Sequence, residues 1–217
     1  MLSSPLRAVL IEAVGTATLL MSIVGSGIAA SGLTGDAGLQ LVANAVATVA
    51  VLGVLIAVAL PISGGSFNPA VTFSDVLRGA VSSRRGTAYV GAQVVGAVVG
   101  TVLAHLMFER DLVSWSDADR GGWGRLLGEV VATGGLVATI VLVDRAMLPL
   151  AVPAWILGAE LFTSSTSFAN PAVTVGRLFT DSFSGISGSD VPLFLAAQLL
   201  GAMLGLGLAR LLKKDHT

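Results

Sequence analysis

Six runs of predominantly apolar residues, at about 6–30, 40–62, 86–108, 124–143, 147–164 and 190–212, dominate this chain and leave it few ways to fold. A bilayer-spanning helix needs about 20 such residues. Lipid offers no partner to a backbone N–H or C=O, so each run must satisfy its own polar groups as a helix. The expected fold class is an all-α membrane protein. Composition agrees, with 54% hydrophobic and 12% charged residues among 217. A net charge of −1 leaves no basic surface for nucleic acid. Without cysteine there is no disulfide, thiolate nucleophile or Cys-bound metal, and His105 and His216 lie far apart in sequence. No catalytic centre, cofactor or metal is expected. The first run is too long for a signal-peptide core and carries Glu12.

The fifth run is the weakest span. It contains Pro149 and Pro153, which suit a first turn or a kink. Two further apolar stretches, about 69–79 and 171–180, are too short to cross, and both begin at an Asn-Pro-Ala: Asn68, Pro69, Ala70 and Asn170, Pro171, Ala172. With six crossings and a cytoplasmic N-terminus, eight basic residues (Arg7, Arg78, Arg84, Arg85, Arg145, Arg210, Lys213 and Lys214) fall on the cytoplasmic side, against Arg110, Arg120, Arg125 and Arg177 outside. The positive-inside rule therefore favours a multi-pass protein with both termini cytoplasmic.

The chain repeats itself. The segment 67–72 recurs at 169–174, Ala92-Gln93 recurs as Ala197-Gln198, and Glu12 with Thr16 and Leu19 is matched by Glu129, Thr133 and Leu136. One channel domain, 1–217, is expected, built of repeats at about 1–108 and 124–212. Each half holds three full spans, an odd number, so the second enters the membrane inverted relative to the first. Asparagine followed by proline is a good helix start. Two half-helices entering from opposite faces would meet N-terminus to N-terminus, each end carrying roughly half a positive charge. Asn68 and Asn170 would add amide donors beside them. Such a junction repels cations and offers hydrogen bonds, as a pore for neutral solutes requires.

In these motifs and in the internal repeat, over nearly all 217 residues, the sequence resembles the aquaporins, members of the major intrinsic protein (MIP) family. The resemblance implies six tilted helices plus two half-helices, a homotetramer in membrane lipid with one pore per protomer, and passive flow of water or small neutral solutes. It also places a selectivity filter, by spacing from the two motifs, at Thr48, Gly158, Ser167 and Val173. Most family members have arginine where this chain has Val173, and water-selective members place bulky residues at the first two positions. The departure points to a bacterial-type member with a wide, uncharged filter ringed by two hydroxyls. It would pass water together with larger solutes such as glycerol-like polyols or undissociated metalloid acids, for example arsenite in its neutral form. A structural or junctional membrane protein with little transport is the alternative.

The resemblance gives Glu12 and Glu129 a structural role, accepting hydrogen bonds from the re-entrant loops. Arg177 lies four residues beyond Val173, about 6 Å along the helix. Two readings stay open for it: a replacement for the missing charge at the pore mouth, or a partner of Asp181 or of loop carbonyls. Glu160, two residues and about 200° from Gly158, is expected to point away from the filter. His105 reads as a satisfied interfacial histidine. The pairs Gly96/Gly100 and Gly201/Gly205 read as helix-packing sites.

Overall fold

The computed structural model describes residues 4–213; Lys214 and His216 lie outside the described residues. The described chain is helical, without strands: α1 (Ser4–Leu33), α2 (Ala37–Ala59), α3 (Pro69–Leu77), α4 (Ser83–Met107), α5 (Trp123–Leu142), α6 (Leu148–Phe162), α7 (Pro171–Arg177) and α8 (Val191–Leu212), with one 3₁₀ turn at Arg145–Met147. Six of these segments are long and apolar enough to cross a membrane. They match the six runs to within about three residues, and six crossings return the chain to the face from which it started. We call that the termini face and its opposite the far face.

Local chemistry sets the boundaries. Asp36 caps α2, its carboxylate accepting from Leu39 N at 2.9 Å, which starts the helix three residues before the hydropathy run. Pro149 sits in the first turn of α6 and Pro153 inside it, so the fifth span is short. The half-helix α3 ends two residues before Gly79, whose φ of +74° ends the turn in the left-handed region.

The tightest helix pairs are α1 with α4 and α5 with α8, one in each half. Glycine makes both possible. A Cβ at Gly96 or Gly100 would strike the backbone carbonyls of Ala13 and Ala17, and one at Gly201 or Gly205 those of Val130 and Gly134. Small residues let helix backbones approach where lipid supplies no hydrophobic drive. Large apolar side chains such as Val42, Val46, Val54 and Val58 on α2 point outward and are exposed, as a surface facing lipid or another membrane chain requires.

Candidate functional site: a pore through the helix bundle

The half-helices are fixed by a symmetric lock. Asn68 caps α3, its Oδ1 accepting from Ala70 N at 2.8 Å, and Asn170 caps α7 by the same bond to Ala172 N at 2.9 Å. Each amide nitrogen crosses to the other half: Asn68 Nδ2 donates to Ala169 O at 2.7 Å and Asn170 Nδ2 to Phe67 O at 2.8 Å. The two N-termini therefore abut. Each amide spends one N–H on this lock and keeps one more, and both asparagines line the cavity.

Behind each cap a buried carboxylate grips the loop. Glu12 accepts from Ser66 N at 3.1 Å, Phe67 N at 2.7 Å, Ser63 Oγ at 2.5 Å and Gln93 Nε2 at 2.8 Å. Glu129 accepts from Phe168 N at 2.8 Å, Ala169 N at 2.9 Å and Gln198 Nε2 at 2.6 Å. Gln93 and Gln198 also donate to Thr72 and Thr174 on the half-helices. Buried N–H groups left without such acceptors would each cost about 1–3 kcal/mol. The carboxylates hold Phe67 and Ala169 at φ of 48° and 47°, left-handed values that non-glycine residues rarely adopt. That strain turns each carbonyl toward the opposite asparagine.

A cavity of about 470 Å³ runs past this junction. Arg78, Val81 and Arg85 line it toward the termini face, and Arg177 and Phe183 toward the far face. Thr48, Ser167 and Val173 all line it and are almost fully buried. Gly158 does not. The side of α6 that faces the cavity is Leu148, Val152, Ile156 and Glu160, a stripe at intervals of four. The expected orientation of this pair is thus reversed: Glu160 faces the pore and Gly158 turns away, because two residues span about 200° of helix. The lining is correspondingly not free of charge. Three buried side-chain oxygens on the lining, Thr48 Oγ1, Ser167 Oγ and Glu160 Oε2, have no partner in the protein.

Arg177 does two things at once. It lines the cavity, while its Nε donates to Ser184 O and its guanidinium stacks 3.4 Å from the Phe168 ring centroid. Among the described residues the one ion pair is Arg78 with Asp75, so the partner of Arg177 is a loop carbonyl rather than Asp181. A second arginine, Arg120, approaches Phe168 at 4.9 Å from its centroid. From the loop between α4 and α5 it donates to Gly185 O at 2.6 Å and Phe183 O at 3.1 Å, and its own N–H reaches Asp190 at 2.7 Å. Burial pulls its pKa down to about 10, which still leaves it charged at neutral pH. Sequence reasoning missed Arg120, because the carbonyls it binds lie more than 60 residues away. His105 is buried and satisfied, bonded to Thr180 Oγ1 at 2.8 Å and Leu112 O at 3.2 Å.

Comparisons with known proteins agree with this architecture. The family model described as Major intrinsic protein matches residues 2–152. The chain is 48% identical over 207 residues to the aquaglyceroporin AqpS of Rhizobium meliloti strain 1021, covering 94% of this chain and 89% of that protein. It is 35% identical over 188 residues to the aquaporin TIP1-2 of Musa acuminata, covering 79% and 74%. The X-ray structure of the aquaglyceroporin from Plasmodium falciparum superposes with a TM-score of 0.69 at 20% identity, over 95% of this chain and 99% of that one, a likeness of fold. The chain belongs to the major intrinsic protein family: it is a multi-pass membrane channel and not an enzyme.

Proposed function

We propose that this channel passes water together with larger neutral solutes, namely glycerol-like polyols and undissociated metalloid acids such as arsenous acid. The observation that carries the reading is Val173. It is buried on the cavity wall, so the position carries no long cationic side chain to narrow the passage. Thr48 and Ser167 line the same cavity, each with a hydroxyl that has no partner in the protein. The relative named as an aquaglyceroporin supports the same class of permeant.

Charged species meet a different environment. The abutting N-termini of α3 and α7 present partial positive charge and the remaining asparagine N–H groups, which disfavours cations at the junction. We further propose one channel domain, 1–217, with inverted repeats at about 1–108 and 124–212. The protein sits in the cell membrane with both termini cytoplasmic and forms a homotetramer of independent pores, partnered only by lipid, its own copies and small neutral solutes. No cofactor, metal or nucleic acid enters this reading.

Stopped-flow light scattering on proteoliposomes tests it. Water, glycerol, urea and, at neutral pH, arsenous acid should all equilibrate faster than in protein-free vesicles, without ionic current. Solute and water rates equal to those of protein-free vesicles would instead favour the structural, low-transport alternative.

A further inference from the structure

We infer that Glu160 is a specificity-determining residue of this pore, the hydrogen-bond acceptor that holds donor-rich neutral solutes on the far-face side of the asparagine junction. The inference rests on the channel reading above and adds a residue outside the motif-spaced filter.

The α6 stripe that lines the cavity is apolar at Leu148, Val152 and Ile156, then ends in a carboxylate. Glu160 is 8% exposed, and its Oε2 has no partner. A buried carboxylate oxygen without a donor is costly unless something in the cavity supplies one. The charge that acts on Glu160 is Arg177, on the same lining, yet the two do not form an ion pair among the described residues. Arg177 is already fixed by Ser184 O and by stacking on Phe168, which keeps its guanidinium from closing over the carboxylate. Glu160 therefore stands on the cavity wall with its Oε2 unclaimed by any protein donor.

Ionised or protonated, the Glu160 carboxyl keeps an acceptor oxygen. It therefore favours solutes rich in O–H or N–H donors: polyols, urea-like amides and undissociated hydroxo acids. Thr48 and Ser167, which can donate or accept, serve the remaining groups of the same solute. A solute with few donors gains less from Glu160, whereas water, small enough to keep part of its hydrogen bonding, depends on it least.

The test is the ratio of glycerol to water permeability in proteoliposomes, with water flux as the internal control for folding and insertion. Glu160→Leu should lower that ratio about tenfold, equivalent to about 1.4 kcal/mol, and Glu160→Gln, which keeps an acceptor, should restore most of it. A structural defect would lower both fluxes together. An unchanged ratio in Glu160→Leu with intact water flux would overturn the inference. The chain has no cysteine, so single-cysteine variants give a second reading. Glu160→Cys should react with a small water-soluble thiol reagent and lose flux on modification, and Gly158→Cys should not; the reverse pattern would overturn the assignment. Failure of the channel reading is distinct from either result, since it would appear as absence of flux in the unsubstituted protein.

Discussion

Before Asn68 the backbone turns left-handed at Gly64 and Gly65, with φ of 102° and 68°; before Asn170 the matching turns fall on Thr166 and Ser167, with φ of 57° and 45°. Both loops then deliver an asparagine to the same junction and are gripped by a matching glutamate. Glycine reaches such angles without steric cost, whereas other residues held there cost about 1–3 kcal/mol each. The second loop accepts that cost because glycine has no hydroxyl, and Ser167 Oγ stands on the pore wall without a protein partner. It is also braced more heavily. Arg120 ties together Gly185, Phe183 and Asp190 and stacks on Phe168, whereas at the first loop an exposed arginine, Arg145, donates to one carbonyl, Leu60 O, at 2.7 Å. Both loops line the cavity; the difference separates a glycine loop held with little strain from one that carries a hydroxyl on the wall and more strain.

The largest effect should come from removing the grip. Glu129→Leu leaves two buried N–H groups and the Gln198 amide without their acceptor, a loss of about 3 kcal/mol or more, seen as a lower Tm in detergent and loss of flux. Glu12→Leu should damage less, because two of its four donors, Ser63 and Ser66, are half-buried and can turn to water, and the glycine loop it holds carries less strain. A larger loss from Glu12→Leu would break the comparison.

Arg120→Leu comes next. It removes two carbonyl contacts and a stacked cation, at a cost of about 2 kcal/mol. The damage should concentrate in the second loop: hydrogen exchange measured by mass spectrometry should rise across 163–190 and stay unchanged across 60–70. Equal loosening of both loops would mean that the brace is not specific.

The smallest effect has opposite signs in the two halves. Gly65→Ala places a side chain at φ +68° with Ala59 Cβ only 3.4 Å from the new atom, and should lower stability by about 1 kcal/mol or more. Thr166→Gly relieves a left-handed residue and forfeits only a long 3.5 Å contact from Arg120, so stability should hold or rise. Thermal denaturation of the two variants side by side would show whether glycine content is what distinguishes the loops.

Much of this molecule was legible in its sequence, and the failures have physical causes. Hydropathy located the six spans because lipid forces each apolar run to be a helix, and the paired Asn-Pro-Ala segments marked the half-helix starts because cap and proline leave a local signature. Helix rotation about its own axis is not local. On α6 nearly every residue is apolar, so the pattern carries no preferred face, and the assignment of Gly158 borrowed its phase from motif spacing. The stripe Leu148, Val152, Ile156, Glu160 was present at intervals of four, ending in a charge, and was the one clue that could have reversed it. Arg120 left no comparable trace: it is 63 residues from Phe183 and 65 from Gly185, the carbonyls it binds, and only the folded loops bring them together.

The claim that this pore is wide because Val173 stands on its wall is tested most directly by the ratio of glycerol to water permeability in Val173→Arg and in the unsubstituted protein, reconstituted at equal density. Arginine would place a fixed charge and five donors beside Ser167, in a region that already holds Arg177. Glycerol flux should fall much further than water flux, because water still passes a narrowed opening. A ratio that does not fall would mean that Val173 is not at the constriction.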